Sequence, residues 1–218
     1  LLLAGAGVTV GLTALWLAGT ARSTPTLHPQ QIVTIPAWLA ASLRYGARIL
    51  FATAVAAALI AGLRGRQVAA ENLATLFTWP VWFRGVALVA VLLGSPWRLL
   101  SPWRAIYGGL VCLDGRELSL LGSYPAALAS WPATGGFVLL LGIGETLTIV
   151  PQSPRLTTVI ISVYAVVMLA GAVCYGPTWF QQADPLGVFY RLFGRVAPLT
   201  VTATEGGGYS VSFRSPWR

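Results

Sequence analysis

The chain has 218 residues, of which 56% are hydrophobic and 9% are charged, and its formal net charge is +8. A soluble domain carries roughly 25% charged residues, so this composition excludes an ordinary soluble domain and indicates a multi-pass membrane protein. The fourteen basic residues are all arginines. Because they are dispersed along the chain, they favour cytoplasmic loops and anionic lipid headgroups over nucleic acid.

The first half of the chain predicts three membrane helices. Residues 1–19 form the first apolar run, and a proline-containing loop over 20–36 follows it. The second helix is predicted over 36–63 and the third over 73–94, each long enough for a bilayer that needs about 20 apolar residues. Pro80 lies inside the third helix and removes one backbone hydrogen bond, so we expect a kink there.

Residues 95–130 are too polar and too interrupted to cross a bilayer. They begin with two Ser-Pro-Trp-Arg tetrapeptides. Tryptophan is enriched at the membrane–water boundary, and arginine suits lipid phosphate there. We therefore predict short interfacial helices whose contacts with headgroups or partners are made by Trp97, Arg98, Trp103 and Arg104.

The second half of the chain predicts two more membrane helices and an interfacial one. The fourth helix is predicted over 131–150 and the fifth over 156–175. Asp184 precedes Pro185, a pattern typical of a helix cap followed by proline at the first position. The helix that it opens, 185–196, has an apolar face and a basic face, so we predict that it lies along the membrane surface. Its basic face is formed by Arg191 and Arg195.

The tail alternates apolar and polar residues on both sides of a glycine-rich turn. This pattern predicts a β-hairpin over 199–213. The resulting fold class is all-α: five transmembrane helices, interfacial amphipathic helices and a small C-terminal hairpin. We divide the chain into a helical domain, 1–198, and a cytoplasmic segment, 199–218. Met168 is the one methionine, so we expect a processed chain or a piece of a longer one, with a further segment starting at the third tetrapeptide, 215–218.

The distribution of arginines predicts the orientation. In the five-helix topology the segments 20–48, 95–130 and 176–218 lie on one side and hold ten arginines, whereas 64–72 and 151–155 hold three. The positive-inside rule places the richer side in the cytoplasm. We therefore expect a cell-membrane protein with an extracellular N-terminus and a cytoplasmic C-terminal segment.

Two charges fall inside predicted membrane helices, Arg84 in the third and Glu145 in the fourth. A charge at the bilayer centre costs about 2.5–3.5 kcal/mol on insertion scales, so it normally has a partner or a function. At a rise of 1.5 Å per residue their Cα atoms differ by roughly 9 Å in depth. Their side chains lean toward each other and can close that gap, so we predict that they pair. The pair has two open interpretations, a structural ion pair that fixes helix packing or part of a polar route.

No cofactor and no metal site are predicted. His28 is the single histidine, and one histidine cannot build a zinc site or ligate haem from both sides. The catalytic residues, if the protein is an enzyme, stay unassigned.

Four features between about residues 60 and 200 carry a resemblance: Asn-Leu-Ala-Thr-Leu at 72–76, the run 94–104, Glu145 and the run 179–199. With these features the chain resembles a family of prokaryotic polytopic membrane proteins labelled fenitrothion hydrolase, or its membrane subunit. Arg84 departs from the apolar or aromatic residue expected in that family. The resemblance implies the membrane part of a complex that hydrolyses organophosphate triesters, but it carries no catalytic residue over to this chain.

Three functions are therefore expected in this order. The first is a non-catalytic integral membrane subunit that scaffolds or anchors a larger complex with other membrane subunits. The second is a permease-like protein, in which Arg84, Glu145 and Asp184 line a polar route. The third is the membrane part of a hydrolase. A water-filled cavity reaching Glu145 would favour the second over the first, and a metal bound by carboxylates would favour the third.

Overall fold

The structure is a computed structural model that describes residues 30–144, 148–204 and 207–213. These residues are mostly helical, with one small sheet. In chain order the elements are β1 (Gln30–Ile35), α1 (Ala37–Arg64), α2 (Leu73–Leu93), α3 (Trp97–Leu100), α4 (Pro102–Asp114), α5 (Trp131–Gly144), α6 (Pro154–Tyr175), α7 (Thr178–Gln182), α8 (Pro185–Gly194), β2 (Leu199–Ala203) and β3 (Tyr209–Phe213).

Three of these helices, α1, α2 and α6, are long and apolar enough to cross a membrane. They confirm the predicted second, third and fifth helices to within two residues at each end. The predicted first helix, 1–19, lies outside the described residues. The predicted fourth helix is represented by α5, which has 14 residues, and residues 145–147 also lie outside the described part. The number of membrane spans therefore stays a prediction.

Asn72 joins α1 to α2. Its side-chain amide donates to the carbonyls of Ala61 and Arg66, at 2.9 and 2.8 Å, and its Oδ1 accepts the N–H of Ala74 at 2.9 Å. One buried side chain thus satisfies carbonyls at the end of α1 and caps the start of α2, where backbone groups lack intrahelical partners. The short polar link holds the two helices as an antiparallel pair.

Pro80 is accommodated by a change of helix type. Residues Phe77–Gly85 are π-helical, between the α-helical parts Leu73–Leu76 and Val86–Leu93. At the end of this stretch the N–H of Val86 donates to the carbonyl of Val81, five residues earlier. A wider turn of this kind accommodates a residue that has no N–H and would clash with the preceding turn.

The α1–α6 contact depends on a glycine, Gly62, which has no side chain. A Cβ atom at Gly62 would overlap Thr158 Oγ1 and lie 2.9 Å from Ala74 Cβ and 3.0 Å from the carbonyl oxygen of Pro154. Small residues of this kind let helix backbones approach closely. Gly62 therefore fixes where α6 crosses the end of α1.

The predicted hairpin is confirmed, and it gains a third strand. β2 pairs antiparallel with β3, with Val201 opposite Val211. β3 also pairs antiparallel with β1, where Val33 lies opposite Val211. The strand order is therefore β1-β3-β2. The loop predicted over 20–36 was wrong for residues 30–35, which form this edge strand.

The two tetrapeptide tryptophans are in the core, not at the rim as predicted. Trp97 is 1% exposed and Trp103 is 4% exposed, and their rings lie 5.8 and 6.4 Å from that of Trp82 in α2. The prediction that these two side chains contact headgroups or partners is wrong. Burying a whole indole ring against other rings is strongly favourable, so α3 and α4 fold back into the bundle.

The basic helix also packs into the bundle. Pro185, Leu186 and Tyr190 of α8 are buried, and the Tyr190 hydroxyl donates to the carbonyl of Trp82 at 2.8 Å. At its last residue, Gly194, α8 lies against the backbone of Ser95. The helix thus packs beside the second half of α2, and its position relative to the membrane surface stays a prediction.

Candidate functional site

Asp184 begins α8 and is completely buried, with 0% exposure. Its backbone is extended, Pro185 takes the first helical position, and its Oδ1 accepts the N–H of Gly187 at 3.0 Å. The predicted cap is therefore present. A glycine two residues after the proline leaves room for the carboxylate, which would lie 3.0 Å from a Cβ atom at Gly187.

Two more donors reach the same carboxylate from other helices. Trp97 Nε1 of α3 donates to Oδ2 at 2.7 Å, and the Tyr164 hydroxyl of α6 donates to Oδ1 at 2.6 Å. Burial raises the pKa of Asp184 above its ordinary value, and hydrogen bonds from Tyr164, the Gly187 N–H and Trp97 oppose that rise. Three donors on two oxygens satisfy a buried carboxylate well.

This polar centre, formed by Asp184 with Trp97 and Tyr164, lies deep in the bundle. Tyr164 is the eleventh of the 22 residues of α6, so it is about 15 Å along the axis from either end at a rise of 1.5 Å per residue. Trp82, whose carbonyl accepts a hydrogen bond from the Tyr190 hydroxyl, is the tenth of the 21 residues of α2. The start of α8 therefore lies near the middle of the long helices.

Aromatic rings hold the short helices around the polar centre. Trp97 stacks on Trp82 at 5.8 Å, and its ring meets that of Tyr190 edge to face at 5.5 Å. Trp103 meets Tyr164 edge to face at 6.0 Å. Such pairs contribute about 0.5–1.5 kcal/mol beyond their burial. They fix the position of α3, α4 and α8 against α2 and α6.

An arginine-lined cavity of about 130 Å³ adjoins the polar centre. Arg104 Nη2 donates to the carbonyl of Phe180 at 2.7 Å, and its guanidinium lies 5.0 Å from the centre of that ring. Burial lowers the pKa of Arg104, as do the nearby charges of Arg98 and Arg191, while Asp184 raises it. The wall includes Trp97, Arg98, Arg104, Phe180, Gly187 and Arg191.

A second, apolar cavity of about 40 Å³ also adjoins the polar centre. Tyr164 lines this cavity while Trp97 lines the arginine-lined cavity, and both donate to Asp184. The apolar cavity extends toward the start of α6, where Trp79 Nε1 donates to Thr157 Oγ1 at 3.1 Å. Its wall includes Thr78, Trp79, Trp82, Thr157, Tyr164 and Leu186.

Three polar atoms on residues that line these cavities are buried without a hydrogen-bond partner among the described residues. They are Thr78 Oγ1 and Trp82 Nε1 beside the apolar cavity, and Arg104 Nε beside the arginine-lined cavity. Leaving a buried polar group unsatisfied costs about 1–3 kcal/mol. The chemistry of the arginine-lined cavity therefore suits water or a polar solute, whereas the other cavity has an apolar surface.

The described residues do not test the predicted pairing of Arg84 with Glu145. Arg84 lies in the π-helical part of α2 with an exposed side chain, and Glu145 lies outside the described part, so their pairing stays a prediction. Arg195 is exposed at the end of α8. Sequence reasoning missed Tyr164, since a tyrosine in an apolar helix has no distinguishing pattern.

Within the described ranges no group of three or more His, Cys, Asp or Glu residues could hold a metal ion. Comparison of the chain with protein-family models, with curated proteins and with solved structures finds no match.

Proposed function

We propose that this chain is an integral protein of the cell membrane. The support is the apolar outer surface of its three long helices, where large side chains face outward instead of into the bundle. Continuous exposed apolar surface of this extent marks contact with a membrane or with partner proteins. Exposed examples are Leu50 and Ile60 of α1, Leu88 of α2, and Val163 and Val166 of α6.

The proposed orientation places the arginine-rich end of the bundle in the cytoplasm and the N-terminus outside. The ten-to-three distribution of arginines supports it, because the positive-inside rule places the richer side in the cytoplasm. The pairing of β1 with β3 also supports it, because residues before α1 and residues near the C-terminus then belong to the same end. Ser95, at the close of α2, lines the arginine-lined cavity, so part of the cavity wall belongs to that end.

Within the membrane, the protein is permease-like. The main support is a pair of cavities near the middle of the bundle, one lined by Tyr164 and the other by Trp97. Both of these side chains donate to Asp184, which therefore lies between the cavities. Ionisable residues buried at membrane depth are costly and mark solute or ion routes. A short helix that begins at mid-depth is also a feature of transporter binding sites. Asp184 and its two side-chain donors are proposed as the barrier between the cavities.

A scaffolding subunit is the second candidate. It is favoured by Trp38 and Trp131, which are 70% and 74% exposed at the beginnings of α1 and α5. Large exposed aromatic side chains suit a protein partner. Scaffolding does not explain the arginine-lined cavity, which is why the permease-like function is preferred. An organophosphate hydrolase subunit stays a proposal that rests on the family resemblance alone.

Cysteine labelling tests the orientation and the opening of the arginine-lined cavity together. In a background with Cys112→Ser and Cys174→Ala, an impermeant maleimide is applied to intact cells and to inverted vesicles. We expect Val68→Cys to react in intact cells, and Arg116→Cys and Ser95→Cys to react in inverted vesicles.

Arg116→Cys is the control for Ser95→Cys, because it lies in the exposed loop on the same side. Labelling of Arg116→Cys but not Val68→Cys in intact cells would reverse the orientation. If Ser95→Cys stays unreactive in vesicles where Arg116→Cys reacts, the cavity is closed to water and the permease-like proposal loses its support.

A further inference from the structure

We propose that the arginine-lined cavity is a binding site for a phosphate group, a tetrahedral oxyanion with close to two negative charges. The inference rests on the proposed function, because that function explains why a solute would enter the bundle. The site itself is defined by Arg98 of α3, Arg104 of α4 and Arg191 of α8, three arginines from three separate helices that line one cavity.

Two of the three guanidinium groups are positioned by backbone carbonyls. Arg104 donates to the carbonyl of Phe180 at 2.7 Å, and Arg191 donates to the carbonyl of Gln181 at 2.9 Å. A guanidinium has five N–H donors, so each keeps further donors for a ligand. Arg104 Nε is buried and without a partner among the described residues. An oxyanion in the cavity would give such donors an acceptor.

The charge of the cavity fits a dianion. The wall carries three positive charges, and the buried carboxylate of Asp184 lies behind Trp97 and close enough to Arg104 to affect its ionisation. Three positive charges and one negative charge leave a net charge of about +2. A phosphate monoester carries about −1.5 to −2 at pH 7, so one phosphate group neutralises the site.

The shape of the donors favours phosphate over smaller anions. Arginine binds planar or tetrahedral oxyanions through paired N–H donors. A carboxylate has two oxygens, enough for one such pair, whereas a phosphate has oxygens for several arginines. The cavity of about 130 Å³ greatly exceeds the roughly 10–15 Å³ that holds one water molecule, so a phosphate group has room to enter.

The test is the thermal stability of the purified chain in detergent during a titration with inorganic phosphate, against chloride at equal ionic strength. A ligand that binds the folded state raises stability in proportion to RT ln(1 + [L]/Kd). Arg98 and Arg191 are exposed, so their glutamine variants are expected to fold. We expect Arg98→Gln and Arg191→Gln each to weaken phosphate binding at least about tenfold, as for loss of a charged hydrogen bond.

The matched control is Arg155→Gln. Arg155 is an exposed arginine at the start of α6, away from the cavity, so its variant changes the net charge equally and should bind phosphate as the wild type does. Equal weakening by Arg155→Gln, or a phosphate effect no larger than that of chloride, counts against the site.

The source of the phosphate group is decided with phosphatidylcholine nanodiscs, prepared with and without phosphatidic acid. Stabilisation by free phosphate that needs Arg98 and Arg191 indicates a soluble ligand. Stabilisation by phosphatidic acid alone, with the same arginine dependence, indicates a lipid headgroup. If neither stabilises the protein, the inference is overturned. Because this assay measures binding and not transport, its failure is distinct from a failure of the permease-like proposal.

Discussion

Replacing Asp184 by leucine is expected to lower the free energy of unfolding by more than about 3 kcal/mol. The substitution removes the acceptor of three buried donors, Trp97 Nε1, the Tyr164 hydroxyl and the Gly187 N–H. Each unsatisfied donor costs about 1–3 kcal/mol. For a chain of this size that loss corresponds to a fall of about 6 °C or more in Tm, measured by thermal unfolding in detergent.

Two further variants are measured beside Asp184→Leu: Asp184→Asn as an intermediate change and Asp114→Leu as a surface control. The asparagine keeps one acceptor oxygen, so we expect an intermediate loss. Asp114 is exposed and pairs with Arg116 at 3.4 Å, and such surface changes usually stay within about 0.5 kcal/mol. If Asp184→Leu is no less stable than Asp114→Leu, the carboxylate does not organise the centre of the bundle.

Gly62→Ala is expected to destabilise the protein by about 1–3 kcal/mol, the usual cost of overpacking a close contact. The added methyl group would overlap Thr158 Oγ1 and press on Ala74 and on the carbonyl of Pro154, whose backbone cannot turn aside. The helices α1 and α6 must therefore separate where they cross. Thermal unfolding in detergent measures the loss.

The matched control is Gly46→Ala in the same helix. A Cβ atom at Gly46 meets no atom within 4 Å, so alanine there should leave stability unchanged or raise it by up to about 1 kcal/mol through its better helix propensity. Similar losses from both substitutions would show that the α1–α6 crossing is not as close as the structure indicates.

The long helices were predictable because length and apolar composition alone determine them. Asp184 as a cap was also predictable, since an aspartate before a proline is a local signal. The hairpin followed from alternation around a glycine-rich turn. Each of these features is encoded within one short stretch and needs no distant contact to define it.

The location of the tetrapeptides was not predictable from their composition. Trp97 and Trp103 have the same sequence signature in a membrane interface as in a buried aromatic core, because tryptophan suits both environments. Only the contacts with Trp82 and Tyr164 distinguish the two. The edge strand β1 was missed for a related reason, since its partner β3 lies far along the chain.

The candidate site illustrates the same limit. Arg104, Arg191 and Asp184 could each be recognised as polar residues of a mostly apolar chain. Nothing in their spacing showed that helices α3, α4 and α8 turn inward and bring the two arginines to a cavity beside the carboxylate. The position of the site near the middle of α6 follows from the hydrogen bond between the Tyr164 hydroxyl and Asp184, which is a tertiary contact.

The most direct test of the permease-like proposal is solute flux through the purified protein in sealed liposomes. Radiolabelled inorganic phosphate, sulfate and acetate are supplied outside, and their uptake is compared with that of protein-free liposomes. The proposal predicts that at least one of these anions enters faster with the wild type and with Arg155→Gln, and that Arg191→Gln reduces the uptake at least about tenfold. Uptake no faster than in protein-free liposomes for all three anions, with a protein that shows its normal thermal transition, would contradict it.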